Sequence, residues 1–177
     1  MNQFIDPAAL QPQSIPSSQS FRDGMALLPG AVTIVTTDGN AGQYGFTASA
    51  VCSVSDTPPT LLVCINKNTS AHDPILKNGV LGVNVLTHAQ HPLSNIFSSR
   101  SKSQEARFAH AGWSSYATGA PLLQDALVNF DCRIAHVVES GSHSVVFAHI
   151  LHVNASDTRH PGLIWFRRNY AHTHIPE

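Results

Sequence analysis

The residues with the clearest chemical use are four small side chains in a row, Thr47-Ala-Ser-Ala50. Small side chains let a flat ring or a phosphate chain approach closely, so that backbone N–H and C=O groups can hydrogen-bond an aromatic cofactor. The hydroxyl groups of Thr47 and Ser49 would add donors to such a site. A strand face rich in serine and threonine is also typical of a solvated sheet surface, and the pattern alone leaves both interpretations open.

Motifs that carry other chemistries are absent from the sequence. It contains no GxGxxG turn, no P-loop, no GxSxG elbow and no HExxH helix. A protein that uses a nicotinamide cofactor without the first motif would not be a Rossmann enzyme. The 11 histidines do not combine with cysteine or acidic residues at zinc-ligand spacing, so we predict no metal site; weak metal binding by His172 and His174 is the alternative.

Charge and cysteine content restrict the partners and the compartment. The chain has 10 basic and 11 acidic residues, which gives no basic surface for nucleic acid and no attraction to an anionic membrane. A weakly charged surface favours self-association instead. The three cysteines argue against a disulfide framework, and neither a signal peptide nor a run of about 20 apolar residues is visible, so we expect a cytoplasmic protein.

Hydrophobic patterns predict one mainly β domain over residues 21–170, preceded by an extended arm over 1–20 and followed by a tail over 171–177. Several antiparallel strands with few short helices indicate a closed or nearly closed barrel. Helices are predicted over 21–28, 71–77 (with Ser70 as N-cap) and 88–98, and a polar loop over 99–120. The predicted strands are 31–37, 45–55, 60–66, 80–86, 126–138, 143–154 and 163–167.

One long segment resembles the core motif of a known family. Residues 45–66, GFTASAVCSVSDTPPTLLVCIN, resemble the short-chain flavin reductases, the small components of two-component flavin monooxygenases. The likeness is greatest to the reductase component of 4-hydroxyphenylacetate 3-monooxygenase, and it extends to the flavin reductase of the pyrimidine-degradation monooxygenase. Further matching segments are FRDGM at 21–25, GVNV at 82–85, RF at 107–108, FDCR at 130–133, GSH at 141–143 and LIWFRR at 163–168.

The resemblance implies a fold, cofactors and a reaction. Proteins of this family adopt an FMN-binding split β-barrel, a Greek-key antiparallel barrel with a few short flanking helices, and they work as homodimers. The chain would be an NAD(P)H:flavin oxidoreductase, with NADH favoured, that reduces FMN or FAD as a dissociable substrate. Reduced flavin would reach, by diffusion, a partner oxygenase that acts on an aromatic or heterocyclic substrate. No catalytic acid or base is implied, because hydride passes directly between the cofactors.

The same resemblance implies binding roles by position. Residues 47–50 would contact the isoalloxazine ring, and residues 53–55 would continue that wall. Residues 64–66, on the neighbouring strand, would meet the ribityl and phosphate end of the flavin. A phosphate near Ser70 would also meet the free N–H groups of the following helix. The flavin-binding residues implied are Thr47, Ala48, Ser49, Ala50, Ser53, Val54, Ser55, Cys64, Ile65, Asn66, Ser70, Arg107 and Phe108, and the nicotinamide-binding residues are His143, Arg168 and Tyr170.

Three other functions are weighed against this one. The chain could be a flavin-binding split barrel without reductase activity, an enzyme like pyridoxine-phosphate oxidase on a similar barrel, or a metal-binding protein that uses its histidines. The second would need a basic set of residues for its phosphorylated substrate, and no such cluster lies beside residues 45–66. Single residues also have simpler roles, since Cys64 is compatible with a small buried hydrophobe and His143 with a surface histidine next to a turn.

Overall fold

Antiparallel strands make up most of the protein, which is described here by a computed structural model over residues 15–156 and 159–174. The first arm residues, 1–14, therefore lie outside the described residues. The strands are β1 (Gly30–Ala31), β2 (Thr33–Thr37), β3 (Tyr44–Ala48), β4 (Val51–Asp56), β5 (Pro59–Asn66), β6 (Val80–Val85), β7 (Trp113–Ser114), β8 (Leu122–Leu123), β9 (Val128–Ser140), β10 (His143–Ala155), β11 (Leu163–Phe166) and β12 (Asn169–His172).

Seven of these strands form one antiparallel sheet in the order β3-β2-β6-β9-β10-β5-β4. Its two edge strands, β3 and β4, are consecutive in the chain and are joined by Ser49 and Ala50 alone. Thr33 Oγ1 donates to the carbonyl of Ala48 at 2.9 Å, and Cys64 N donates to the carbonyl of Ala50 at 3.0 Å. The two edges therefore meet at Ser49, where the sheet closes into a barrel. The mainly β antiparallel barrel predicted from the sequence is confirmed.

In the described part of the chain, four α-helices flank the sheet: α1 (Ser18–Met25), α2 (His72–Asn78), α3 (His91–Ser98) and α4 (Gln104–Phe108), with a 3-10 turn at His88–Gln90 before α3. The side chains of Ser17 and Ser103 cap α1 and α4 by accepting hydrogen bonds from backbone N–H groups of their first turns. Helix α2 ends at Gly79, whose φ of 69° is the left-handed conformation that glycine adopts without strain. None of the helices in the described ranges is long and apolar enough to span a membrane.

The structure corrects several predicted boundaries. The single strand predicted over 45–55 is two strands, β3 and β4, which lie at opposite edges of the sheet. The sequence did not reveal the break, because the apolar alternation continues through Ala48 and Ala50. Ser70 is not an N-cap: α2 follows Ala71, and no side chain caps it. Helix α1 begins at Ser18, three residues before the predicted start of the domain. The loop predicted over 99–120 contains α4 and β7, and β12 follows the last predicted strand.

Two groups of buried apolar side chains hold this arrangement together. One fills the barrel and includes Val63, Ile65, Leu81 and Val146. The other packs α3 and α4 against the outside of the sheet; Phe108 and Trp113 meet there with ring centroids 4.9 Å apart. The second group fixes α3 beside β3, which determines the geometry of the cavities described next.

Candidate functional site

The small-residue segment lies where the two sheet edges meet, at the junction of three adjoining cavities. We name these the polar cavity (about 640 Å³), the central cavity (about 270 Å³) and the apolar cavity (about 710 Å³). Thr47 and Ser98 line both the polar and the central cavity. Ser49 and Trp165 line both the central and the apolar cavity. Residues 47–50 therefore form the shared wall of one continuous groove.

The polar cavity carries the chemistry expected of an anion site. Its lining includes two guanidinium groups, from Arg100 and Arg107, and none of the described lining residues carries a carboxylate. Gln104 of α4 connects its walls, since the Gln104 side chain accepts from Gly45 N at 2.9 Å and donates to Ser70 Oγ at 3.3 Å. Amide and hydroxyl groups between strand β5 and helix α2 complete the lining: Asn66, Asn68, Thr69 and Ser70. This donor set fits a phosphate group.

Arg107 has a structural role as well as a place in this wall. Its Nη1 donates to the carbonyls of Gly45 at 2.7 Å and Phe97 at 3.2 Å, and its Nη2 donates to that of Ser99 at 2.7 Å. The side chain is buried, burial lowers the pKa of its guanidinium, and Nε has no hydrogen-bond partner among the described residues. A buried cation held by carbonyl groups alone gains from an anion bound in the polar cavity.

The central cavity places aromatic and amide groups opposite residues 47–49. Trp165 and Tyr170 lie edge to face with ring centroids 5.1 Å apart. The Tyr170 hydroxyl donates to Asn95 Oδ1 at 2.9 Å and lies 2.9 Å from Ser94 Oγ. Thr47 Oγ1 donates to the carbonyl of Ser94 at 2.7 Å, so this hydroxyl can only accept from a ligand. An aromatic ring with polar edges fits between these groups.

The apolar cavity lies between α1 and the strand pair β4–β5. Cys52, Cys64 and Ala50 line it, and so does Arg168, whose Nη2 lies 2.5 Å from Asp23 Oδ1. That ion pair lowers the pKa of the exposed Asp23 carboxyl.

Burial raises the pKa of the Cys64 thiol, and burial together with the charge of Asp131 raises the pKa of the Cys132 thiol to about 12. Burial therefore disfavours the thiolate, which is the nucleophilic form, of both cysteines.

Ten of the residues implied by the resemblance line this groove. They are Thr47, Ala48, Ser49, Ala50, Cys64, Asn66, Ser70, Arg107, Arg168 and Tyr170.

The other six implied residues lie elsewhere. Ser53, Val54 and Ser55 are exposed on β4, beyond the groove, because the chain changes sheet edge before them. Ile65 and Phe108 are buried core side chains. His143 is the first residue of β10 and pairs with Asn66 of β5; its Nδ1 lies 2.9 Å from Ser142 Oγ. His143 lines none of the three cavities.

Several groove residues were not among those predicted from the sequence: Asn95, Ser98, Trp165 and Arg100. They come from α3, the residues after it and β11, so only tertiary packing brings them to residues 47–50. Trp165 did stand within a matching segment, LIWFRR, which was a usable signal. Among the described residues, no group of three histidine, cysteine or acidic side chains could hold a metal ion.

The fold and the groove together define a flavin oxidoreductase, and comparison with known proteins supports this class. Residues 25–174 match the flavin reductase like domain. The chain belongs to this family, as the resemblance predicted, and the split-barrel fold and the enzyme class are confirmed with it.

Individual relatives cover nearly the whole chain. The FMN reductase (NADH) RutF of Enterobacter sp. (strain 638) is 52% identical over 155 residues, which cover 86% of this chain and 92% of the relative. A structure from Haemophilus somnus 129PT, assigned to the flavin reductases, is 49% identical with a TM-score of 0.86, covering 89% of this chain and all of that one. BorF, the flavin reductase component of a bacterial two-component tryptophan halogenase, is 30% identical with a TM-score of 0.81, covering 88% of this chain and 98% of its own.

Proposed function

We propose that the chain is an NADH-dependent FMN reductase that releases reduced flavin to a partner oxygenase acting on an aromatic or heterocyclic substrate. The observation that carries the proposal is the continuous groove. In it the polar cavity, whose described lining has two arginines and no carboxylate, adjoins the central cavity beside the small residues 47–50. Relatives named FMN reductase (NADH), and a structural neighbour that is the reductase component of a two-component system, support the same assignment. The three free cysteines, one of them exposed, are consistent with a cytoplasmic location.

The residues of the groove would bind and orient rather than exchange protons. Arg100 and Arg107 would hold the flavin phosphate, and the backbone at Ser49 and Ala50 would meet the polar edge of the ring. Trp165 and Tyr170 would pack against the ring system. Hydride transfer is supplied by the two cofactors themselves, so the protein has to align them and exclude competing geometries. Accordingly, none of the described residues that line the groove is an aspartate or a glutamate.

Release of the flavin separates a reductase component from an enzyme with a resident cofactor. After anaerobic reduction of FMN by excess NADH, we expect ultrafiltration to recover most of the reduced FMN in the filtrate, because a flavin that serves a separate oxygenase has to leave the reductase. The same experiment with FAD measures the preference, and the names of the relatives favour FMN. Retention of the flavin with the protein through many turnovers would contradict the proposal.

His143 would position the nicotinamide. We expect His143→Ala to raise the KM for NADH about tenfold or more while the KM for FMN changes less than about twofold, as for loss of one ligand contact. Steady-state kinetics with each substrate varied in turn would measure the difference. His110→Ala, at an exposed histidine, is the control and should behave like the unmodified protein. Unchanged NADH kinetics in His143→Ala would remove this residue from the site.

Two copies of the chain would pair through an exposed apolar face. Helix α1 has no buried residue; its Phe21 is 59% exposed, and Leu28, three residues after the helix, is 64% exposed. Val54 on β4 and Val153 on β10 are also exposed. Such large apolar side chains on a weakly charged protein favour an interface with a second copy. We expect light scattering to give the mass of two chains, and the mass of one chain at micromolar concentration would contradict the homodimer.

A further inference from the structure

A chain of five polar side chains joins helix α2 to the hairpin that carries His143. Asp73 Oδ1 lies 2.7 Å from His72 Nδ1, and His72 Nε2 lies 2.8 Å from Ser144 Oγ. Ser144 Oγ donates to Glu139 Oε1 at 2.9 Å, and Glu139 Oε2 lies 2.6 Å from Lys67 Nζ. Hydrogen bonds from Lys67 and Ser144 hold the pKa of Glu139 below its usual value.

Both ring nitrogens of His72 have a hydrogen-bond partner. Nε2 faces Ser144 Oγ, whose own proton is donated to Glu139, and Nδ1 faces the carboxylate of Asp73. His72 therefore bridges helix α2 and strand β10.

The order Asp73, His72, Ser144 has the spacing of a catalytic triad, but its surroundings exclude nucleophilic chemistry. Ser144 is completely buried, so no substrate can reach its hydroxyl group. Its proton is directed to Glu139 rather than to the histidine. The arrangement therefore holds structure in place.

The segments that His72 joins are one wall of the polar cavity and the start of the strand that carries His143. Asn66, Asn68, Thr69 and Ser70, just before His72, line the polar cavity, and Ser144 directly follows His143. Lys67 N also donates to the carbonyl of Ser142 at 3.0 Å. We infer that His72 is a positioning residue, which sets the phosphate side of the groove against His143 so that flavin and nicotinamide bind in register. This inference rests on the proposed function.

Two substitutions at one position separate the two hydrogen bonds. Glutamine places its amide nitrogen near the position of Nε2 and can keep the contact to Ser144, whereas asparagine reaches only as far as Nδ1 and keeps the contact to Asp73. Because the contact to Ser144 is the one that reaches His143, we expect His72→Asn to raise the KM for FMN and the KM for NADH about tenfold each, with kcat within about twofold. His72→Gln should stay within about twofold on all three parameters.

Equal kinetics for the two variants, or loss of thermal stability without a change in either KM, would overturn the inference. If His72→Asn fails to fold, Glu139→Ala breaks the same chain of side chains at an exposed residue and should raise both KM values about threefold; unchanged values would also overturn the inference.

Quenching of FMN fluorescence separates this inference from the proposed function. If the unmodified protein binds FMN but does not oxidise NADH, the proposed function fails, and tighter FMN binding by His72→Gln than by His72→Asn still supports the positioning role; equal binding overturns it. Absence of FMN binding by the unmodified protein would overturn both.

Discussion

Replacing Ser49 by tryptophan should reduce FMN-dependent NADH oxidation about 100-fold or more. Ser49 lies in the two-residue link between the sheet edges and lines both the central and the apolar cavity, so an indole there would occupy the space proposed for the flavin ring. A 100-fold loss corresponds to about 2.8 kcal/mol of lost binding in the transition state. Because Ser49 is exposed, the fold should tolerate the larger side chain, and thermal unfolding should change little.

Two control substitutions distinguish steric blocking of the proposed flavin site from other effects of Ser49→Trp. Ser49→Ala removes the hydroxyl group without adding bulk and should stay within about threefold of the unmodified activity, because the backbone is proposed to meet the ring. Ser115→Trp adds the same indole at an exposed position outside the groove and should have no effect. Full activity in Ser49→Trp would move the flavin site away from residues 47–50.

Replacing Arg107 by methionine should lower the free energy of unfolding by about 3 kcal/mol. The substitution leaves the carbonyl groups of Gly45, Phe97 and Ser99 without this donor, and the hydrogen bonds to Gly45 and Phe97 are buried. These carbonyls belong to the start of β3, to α3 and to the segment after α3, so the loss loosens the walls of both the polar and the central cavity. Urea denaturation with and without saturating FMN would measure the effect.

Arg100→Met is the matched control, since the same change is made at an exposed arginine of the same cavity. Its free energy of unfolding should change by less than about 0.5 kcal/mol, while the KM for FMN should rise about tenfold through loss of one charge beside the phosphate. Equal destabilisation by the two substitutions would contradict the separate roles given to the two arginines. An unchanged KM for FMN in Arg100→Met would place the phosphate elsewhere.

The general architecture and the position of the groove could be predicted from the sequence because both depend on local patterns. The alternation of apolar residues located most strands, and the segment from Gly45 to Asn66 identified the family. The break at Ser49 could not be predicted in this way. Whether a strand continues or moves to the opposite edge depends on its pairing partners, and β3 and β4 pair with strands far apart in the sheet.

The assignments that differ most from the prediction concern side chains whose role depends on distant packing. Arg107 was predicted to contact flavin and does line the polar cavity, but its additional structural role could not be predicted, because its hydrogen bonds to Gly45 and Phe97 arise only when α4 packs against β3. Phe108 follows it in the same matching segment and is part of the aromatic core with Phe97 and Trp113. Neighbouring residues of one motif therefore have different roles in the structure, and a sequence resemblance does not distinguish these roles without the tertiary structure.

The most direct test of the central claim is the rate of NADH oxidation by the purified protein with and without added FMN. The account predicts slow oxidation of NADH alone and a rate that rises and saturates with FMN concentration, with Ser49→Trp remaining at the background rate. Absence of any FMN- or FAD-dependent oxidation by a folded protein would contradict it, because the groove would then bind something other than a flavin and its reductant.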